Sequence, residues 1–298
     1  MNAGHRDRPG GTGVLAGRAV ARVGFGAMQL SGPGGRAAPA VRTAIAVLRR
    51  AADLGVNHID TAHFYGAGRA NELIRAALSP YPDGLVLVSK VGAEEDAQGK
   101  LHPAQRPEQL RAGVEANLRS LGVDQVSVVN LRRLDGPPGI RAEGDQVVDL
   151  DSQLAEMAAL RDEGKIGGIG LSNVSLEQLR QALPAGVACV QNAYNVLDRS
   201  GEALLALCGE HGVAWVPFFP LGSGFPGAAK VTEHPTVTAV ATALGCTPAQ
   251  VGLAWLLHRD PRILLIPGTA SLAHLEDNVA VSRVHLDPET AAALDSLA

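Results

Sequence analysis

Cysteine, lysine and tyrosine are all scarce in this chain of 298 residues, which has three cysteines, four lysines and three tyrosines. The cysteines stand far apart, at Cys189, Cys208 and Cys246. An odd, scattered set matches neither a disulfide framework nor a zinc site, and it points to a reducing compartment. Long hydrophobic runs are missing. The longest, around Val251 to Leu257, falls far short of the roughly 18 residues that a membrane helix needs. No block of five like charges occurs, which excludes a solvated interaction tail. The 26 basic and 30 acidic side chains leave a net charge of −4, with no basic footprint for a nucleic acid. Met1 to Gly13 carries charges without an apolar stretch, so no secretory leader is read there and the segment is expected to be a loose tail. Together these absences predict a soluble, cytoplasmic protein without a nucleic-acid, membrane or metal partner.

What is present is a repeating alternation. Short β-branched runs are each followed by a loop and, for most of the chain, by an Ala/Leu-rich stretch with helical spacing. The runs are Arg22–Gly26, Asn57–Asp60, Leu85–Lys90, Val126–Leu131, Ile166–Leu171, Val187–Gln191, Val213–Pro217 and Ile263–Pro267. Val41, Ala44, Ile45, Leu48, Ala52 and Leu54 mark one helical face, and Leu110, Val114, Leu118 and Leu121 another. Runs such as Leu85-Val86-Leu87-Val88 are apolar on both faces, as parallel strands are. Eight such strands with helices over about 270 residues predict an α/β fold, a (β/α)8 barrel in one domain from Val14 to Ala298. A doubly wound sheet is the structural competitor. Val14 to Arg22, with Ala16-Gly17-Arg18 in its middle, reads as a hairpin closing the barrel floor. Two long loops, Gly136 to Gln146 and Ser223 to Pro235, follow the fourth and seventh runs.

In such barrels chemistry lies at the carboxyl ends of the strands. The second run ends in Asp60, with Tyr65 five residues on, and the third ends in Lys90. A tyrosine hydroxyl is a poor proton donor at neutral pH. An ammonium beside such a group favours the phenolate, and a carboxylate can hold the ammonium charged. The three residue types therefore make a tuned general acid, suited to protonating a carbonyl oxygen while hydride reaches its carbon. No protein side chain delivers hydride, so a nicotinamide cofactor is implied. Ser172, Asn173 and Gln191 at the next strand ends offer groups for a carboxamide. Phe219 offers a ring to stack, Gly222 and Gly224 let backbone amides approach a pyrophosphate, and Thr269 with the following helix offers a second anion site. Gly222-x-Gly224-x-x-Gly227 is not a Rossmann fingerprint, because it lies late and contains Pro226.

The segments Gly24-Phe25-Gly26, Asn57-His58-Ile59-Asp60-Thr61-Ala62, Phe64-Tyr65-Gly66, Val88-Ser89-Lys90, Gly170-Leu171-Ser172-Asn173, Pro220-Leu221-Gly222 and Ile266-Pro267-Gly268-Thr269 follow in that order. In these, the chain resembles the aldo-keto reductases over Val14 to Val281, and within them a bacterial branch containing pyridoxal reductases. The resemblance implies a barrel, NADPH as cofactor and carbonyl reduction, with pyridoxal going to pyridoxine. It carries over Asp60, Tyr65 and Lys90 as catalytic residues. Ser172, Asn173, Gln191, Phe219, Leu221, Gly222 and Asn278 carry over as cofactor contacts. Gly26, Met28, Asp60, Pro220, Gly224, Pro267, Gly268, Thr269, His274 and Asp277 complete the expected cofactor set. Two positions depart. The family's usual histidine at the fourth strand end is Arg132 here, within Asn130-Leu131-Arg132-Arg133-Leu134-Asp135. The arginine many members place for the adenosine 2′-phosphate is His274.

A guanidinium does not switch protonation, but it donates hydrogen bonds and its fixed charge suits an anion. Arg132 is thus expected to favour a carbonyl substrate with an acidic hydroxyl beside it, as pyridoxal has. Purely structural roles stand beside these. Arg132 pairs with Asp135 or Asp60, His58 is a satisfied core histidine, Trp215 and Trp255 are core, and His63 and Gln29 only border the pocket. Two other functions compete with the reductase. One is a nucleotide-binding regulatory protein with weak turnover. The other is a Schiff-base lyase using Lys90.

Overall fold

The computed structural model describes residues 8–32, 37–222 and 229–298. It opens with a hairpin of β1 (Thr12–Leu15) and β2 (Arg18–Ala21), paired antiparallel. Ala16 and Gly17 both have positive φ, at 48° and 73°, which matches the twist of a two-residue hairpin loop. The hairpin therefore begins ahead of Val14. Thr12 and Gly13, expected in the tail, belong to β1, and the buried Pro9 accepts from the Val23 N–H at 3.0 Å. The rest of the expected tail, residues 1–7, lies outside the described residues.

Then follow β3 (Phe25–Gly26), α1 (Val41–Asp53), β4 (His58–Asp60), α2 (Arg69–Leu78) and β5 (Val86–Val91). A second hairpin, β6 (Ala93–Glu95) with β7 (Leu101–Pro103), interrupts the alternation. After it come α3 (Pro107–Leu121), β8 (Val128–Arg132), α4 (Leu150–Asp162), β9 (Ile169–Ser172), α5 (Leu176–Ala182) and β10 (Val187–Gln191). The chain ends through α6 (Glu202–Glu210), β11 (Ala214–Trp215), α7 (Pro235–Leu244), α8 (Pro248–Arg259), α9 (Leu272–Val279) and α10 (Pro288–Asp295). Local chemistry sets several starts. Ser175 with Gln178, and Thr247 with Gln250, form capping boxes ahead of α5 and α8.

Seven strands form one parallel sheet in the order β11-β10-β9-β8-β5-β4-β3. The eighth run closes it through single bridges, Trp215 to Ile263 and Val23 to Leu265. The Leu265 N–H donates to the Arg22 carbonyl at 2.7 Å, and the Gly24 N–H to the Leu265 carbonyl at 2.8 Å. A doubly wound sheet is thereby set aside. The eighth run is no regular strand because Pro267 lacks an N–H and the two chains crowd each other. A Cβ on Gly26 would stand 2.5 Å from the Ile266 carbonyl oxygen, and one on Gly268 would stand 2.7 Å from the Gly26 oxygen.

Each strand shows one face to the helices and one to the barrel interior. The larger core lies between sheet and helices, where Trp215 and Trp255 are buried. On α1 the buried stripe is Ala44, Val47, Leu48 and Ala51. Val41, expected on that face, is exposed at the first helical position. Inside the barrel, Leu15 and Val20 of the first hairpin pack on Val86, Val88 and Leu264 and seal the floor. Among the described residues no single helix is long and apolar enough to cross a membrane.

His58 lies inside the barrel, 1% exposed. Its ring occupies the space in front of Gly24, where a Cβ would come within 2.1 Å of Nε2. The expectation of a satisfied histidine fails, since neither ring nitrogen has a hydrogen-bond partner among the described residues. Burial pushes its pKa from 6.5 down to about 4, against the Ala21 and Leu265 carbonyls nearby. Between those pH values the unfolded chain binds the proton and the folded one does not, so stability falls as pH drops from about 6.5 to about 4. The loss is about 3 kcal/mol. Denaturant unfolding of wild type and His58→Gln at pH 7 and pH 4 should show this extra loss in the wild type alone. Equal losses would contradict it.

Candidate active site

The β4 and β5 ends bring an ion pair together. Lys90 Nζ pairs with Asp60 Oδ1 and donates to the Thr61 carbonyl at 3.1 Å. Both side chains are buried, at 6% and 3% exposure. Gln191 Nε2 donates to the other carboxylate oxygen, Asp60 Oδ2, at 2.7 Å. The ammonium stands 5.1 Å from the Tyr65 ring centroid. Burial disfavours its charge, but Asp60 and then Tyr65 outweigh that, and the Lys90 pKa is raised.

Tyr65 rides on the loop between β4 and α2. Phe64 meets it edge-to-face at 5.3 Å between centroids, and Ala93 and Leu101 of the β6–β7 hairpin pack against this pair with Ile140. The Gly66 N–H donates to Glu95 Oε2 at 3.1 Å, tying the loop to the same hairpin. His63 turns away, and the charges it senses are Arg119 and Glu72.

Arg132, half-buried at the end of β8, places its guanidinium carbon 6.0 Å from the Phe64 ring centroid. Its Nη2 donates to the Pro138 carbonyl at 3.3 Å. The expected pairing with Asp135 or Asp60 does not occur. The neighbouring Arg133 takes Asp135 with two bonds of 2.8 Å, and Asp60 belongs to Lys90. Among the described residues no carboxylate pairs with Arg132. Burial lowers its pKa, while Tyr65 acts in the opposite sense. A desolvated cation therefore faces the Phe64–Tyr65 corner.

Two buried networks hold these groups. Behind Asp60 and Lys90, the Thr61 hydroxyl donates to Asn71 Oδ1 at 2.8 Å. Asn71 donates to Asn117 Oδ1 at 2.9 Å, and Ser89 donates to that same oxygen at 2.5 Å. Behind Arg132, Gln105 Nε2 donates to the Gly92 carbonyl at 2.6 Å and to the Arg132 carbonyl at 2.9 Å, and Gln153 joins Gln105 to Arg133. Sequence analysis missed these residues. One signal was available, since Asn117 interrupts the apolar face of α3 at helical spacing from Val114 and Leu121.

The remaining expected residues lie at the ends of β9 and β10 and in the segments that follow the later strands. Gln191 Oε1 is buried without a hydrogen-bond partner among the described residues. Asn173, at φ 58°, donates through Nδ2 to the Arg133 and Gly136 carbonyls, both at 3.1 Å, which uses both N–H groups. Its oxygen, like that of Gln191, is left as an acceptor, and Ser172 is buried beside them. This donor-poor set fits a group bearing an amide NH2, as nicotinamide does. Phe219 has φ 55° and meets Phe218 edge-to-face at 5.0 Å. Pro220 and Leu221 are half-buried. Gly222, at φ 92°, has another reason to be glycine than a ligand's approach, since a Cβ would stand 2.3 Å from the Ala229 carbonyl oxygen. Gly224 lies outside the described residues.

Gly26, Pro267 and Gly268 form the barrel seam, and Met28 begins a short 3-10 turn just after it. Thr269 accepts the Ser271 N–H at 3.0 Å ahead of α9. His274 is exposed in the first turn of α9, Asp277 is half-buried and Asn278 buried. Glu276 is neutralised by Arg50 at 2.7 Å.

Removing one partner of a buried pair strands the other charge and costs about 3–5 kcal/mol, whereas replacing both costs far less. Denaturant unfolding should therefore rank Asp60→Asn/Lys90→Met above Lys90→Met alone. A double variant less stable than that single would refute the assignment of an uncompensated buried charge.

A model of the aldo/keto reductase family matches residues 22–298. The chain is 45% identical to pyridoxine 4-dehydrogenase of Escherichia coli strain K12, over 96% of this chain and 98% of that one. An uncharacterized oxidoreductase of Schizosaccharomyces pombe is 36% identical over 96% of this chain and 89% of its own. Among solved structures, a Klebsiella pneumoniae aldo-keto reductase in complex with NADPH superposes with a TM-score of 0.79 at 28% identity, covering 96% of this chain and 94% of that one. A second from the same organism, with NADP and acetate, superposes at 0.77 and 29% identity, covering 96% and 94%. The barrel, its rim and these matches lead to one conclusion: the chain belongs to the aldo/keto reductase family.

Proposed function

We propose that this chain reduces an aromatic aldehyde to its alcohol with NADPH, with Tyr65 as general acid and pyridoxal as the leading substrate. Carbonyl reduction with NADP(H) is the common ground of its family, and the NADPH-bound neighbour supports the cofactor. The observation that carries the reading is the buried Asp60–Lys90 pair with its ammonium against Tyr65.

Ser172, Asn173 and Gln191 would hold the nicotinamide carboxamide. Phe219, Pro220, Leu221 and Gly222 would lie along the dinucleotide, with Thr269, His274, Asp277 and Asn278 at its far end. When bound, the nicotinamide supplies hydride to the carbonyl carbon. Tyr65 delivers the proton to the carbonyl oxygen. Lys90, held charged by Asp60, donates to the Tyr65 side chain and stabilises the phenolate as the proton leaves. The β6–β7 hairpin and Ile140 cover the Phe64–Tyr65 corner and keep water from it. Arg132 supplies a cation without a carboxylate partner at that corner. Pyridoxal carries an acidic ring hydroxyl beside its aldehyde, and its anion satisfies that cation. A Schiff-base lyase would need Lys90 as a neutral amine, and the ion pair with Asp60 works against that.

The test is NADPH consumption with pyridoxal and with a simple aromatic aldehyde. Tyr65→Phe should lower kcat for both by a factor of about 10²–10⁴ while NADPH still binds. Turnover that survives in Tyr65→Phe would sink the acid assignment. Arg132→His should lower kcat/KM for pyridoxal about 10-fold, as the loss of one charge-assisted hydrogen bond does, and leave the simple aldehyde nearly unchanged. Equal losses on both aldehydes would remove pyridoxal's hydroxyl from the account.

A further inference from the structure

The two ends of the Gln191 side chain are in unequal situations. Nε2 donates to Asp60 Oδ2 at 2.7 Å. Oε1 is buried and has no partner among the described residues, in a residue only 1% exposed. Turning the amide over would set its oxygen against a carboxylate oxygen, two acceptors with no hydrogen between them. Asp60 cannot relieve this by rotating, because its other oxygen is held by Lys90.

We infer that Asp60, besides holding Lys90, locks the Gln191 amide with its oxygen toward the cofactor site, so that the site accepts an N–H from the cofactor's carboxamide and rejects a group that only accepts. Asp60 is here a positioning residue acting through Gln191. The inference rests on the cofactor reading above and adds a selectivity to it. Asn173 reinforces the bias, since both of its N–H groups are spent on the Arg133 and Gly136 carbonyls. The titratable groups that act with Asp60 are Lys90 on β5 and Cys189 on β10, and Tyr65 on the loop after β4 stands against Lys90. Only Lys90 pairs with Asp60. Two probes of equal charge that differ only in a neutral ring substituent therefore isolate the amide's orientation from charge effects.

The measurement is calorimetric binding of NADP and of its 3-acetylpyridine analogue, which keeps the carbonyl and lacks the N–H. Wild type should prefer NADP by about 10-fold, one hydrogen bond's worth with its acceptor left unsatisfied otherwise. In Asp60→Asn the neighbouring amide can donate or accept. Gln191 is then free to turn, and the preference should shrink to about 2-fold because the analogue gains affinity. In Gln191→Met it should also shrink, but because NADP loses affinity. Those opposite origins separate a lock from a plain structural defect. Should Asp60→Asn not fold, Asp60→Asn/Lys90→Met, which leaves no buried charge, carries the same comparison. Equal binding of the two dinucleotides to wild type, or an unchanged preference in the Asp60 variant, overturns the inference alone. Failure of wild type to bind either dinucleotide overturns the cofactor reading, and this inference with it.

Discussion

A buried ion pair sets the terms for the rest of this barrel. Asp60 and Lys90 lie almost out of contact with solvent, and removing two charges from water is costly unless every remaining lone pair and N–H is used. Thr61 and Tyr65 from the loop after β4, and Gln191 from β10, meet that demand. Each is held in turn: Thr61 by Asn71, Tyr65 by the β6–β7 hairpin, and Gln191 by the β9–β10 ladder. A pair that contributed only stability would be better replaced by leucines. At a strand end and against a tyrosine, the pair is placed where it can act on a proton.

The interior below the pair is apolar at the floor and polar toward the rim. The first hairpin seals the floor with Leu15 and Val20. His58 sits at the boundary, buried as firmly as the valines but without a hydrogen-bond partner among the described residues, and Gly24 leaves the space its ring fills. Toward the rim the polar side chains are unevenly satisfied. The two adjacent arginines show the range. Arg133 is 5% exposed and bonds Asp135, Val148 and Gln153, while the side chain of Arg132, one residue earlier, makes a single hydrogen bond among the described residues.

Much of this was legible in the sequence, for physical reasons. Parallel strands are apolar on both faces, so their ends stand out, and with four lysines and three tyrosines in the chain a Lys and a Tyr at adjacent strand ends stand out further. Asp60, Tyr65 and Lys90 do converge. The illegible parts depend on partners distant in sequence. Which of two adjacent arginines takes Asp135 is decided by the alternation of β8, one pointing into the barrel and one out toward α4. The eighth strand has a strand's composition, but close packing of Gly26 and Gly268 leaves it only bridges. The β6–β7 hairpin hides in a polar stretch whose role, covering Tyr65, exists only once the barrel closes. Asn71 and Asn117 carry no signal in the sequence that ties them to the strand ends. They are the anchors of the β4 and β5 ends.

The ladder registers give the barrel an uneven stiffness. From β5 through β8 and β9 to β10 each neighbour pairing spans four residues, whereas β3 with β4 and β10 with β11 span two, and the eighth run adds single bridges. Lys90, Arg132, Ser172 and Gln191 all stand on the firm half. Gly26, Pro267, Gly268 and Thr269 stand on the loose one. Local opening is easiest where backbone bonds are fewest. Opening is therefore easiest along the seam of Gly26 with Pro267 and Gly268, while the pairings that carry Lys90, Arg132, Ser172 and Gln191 stay closed.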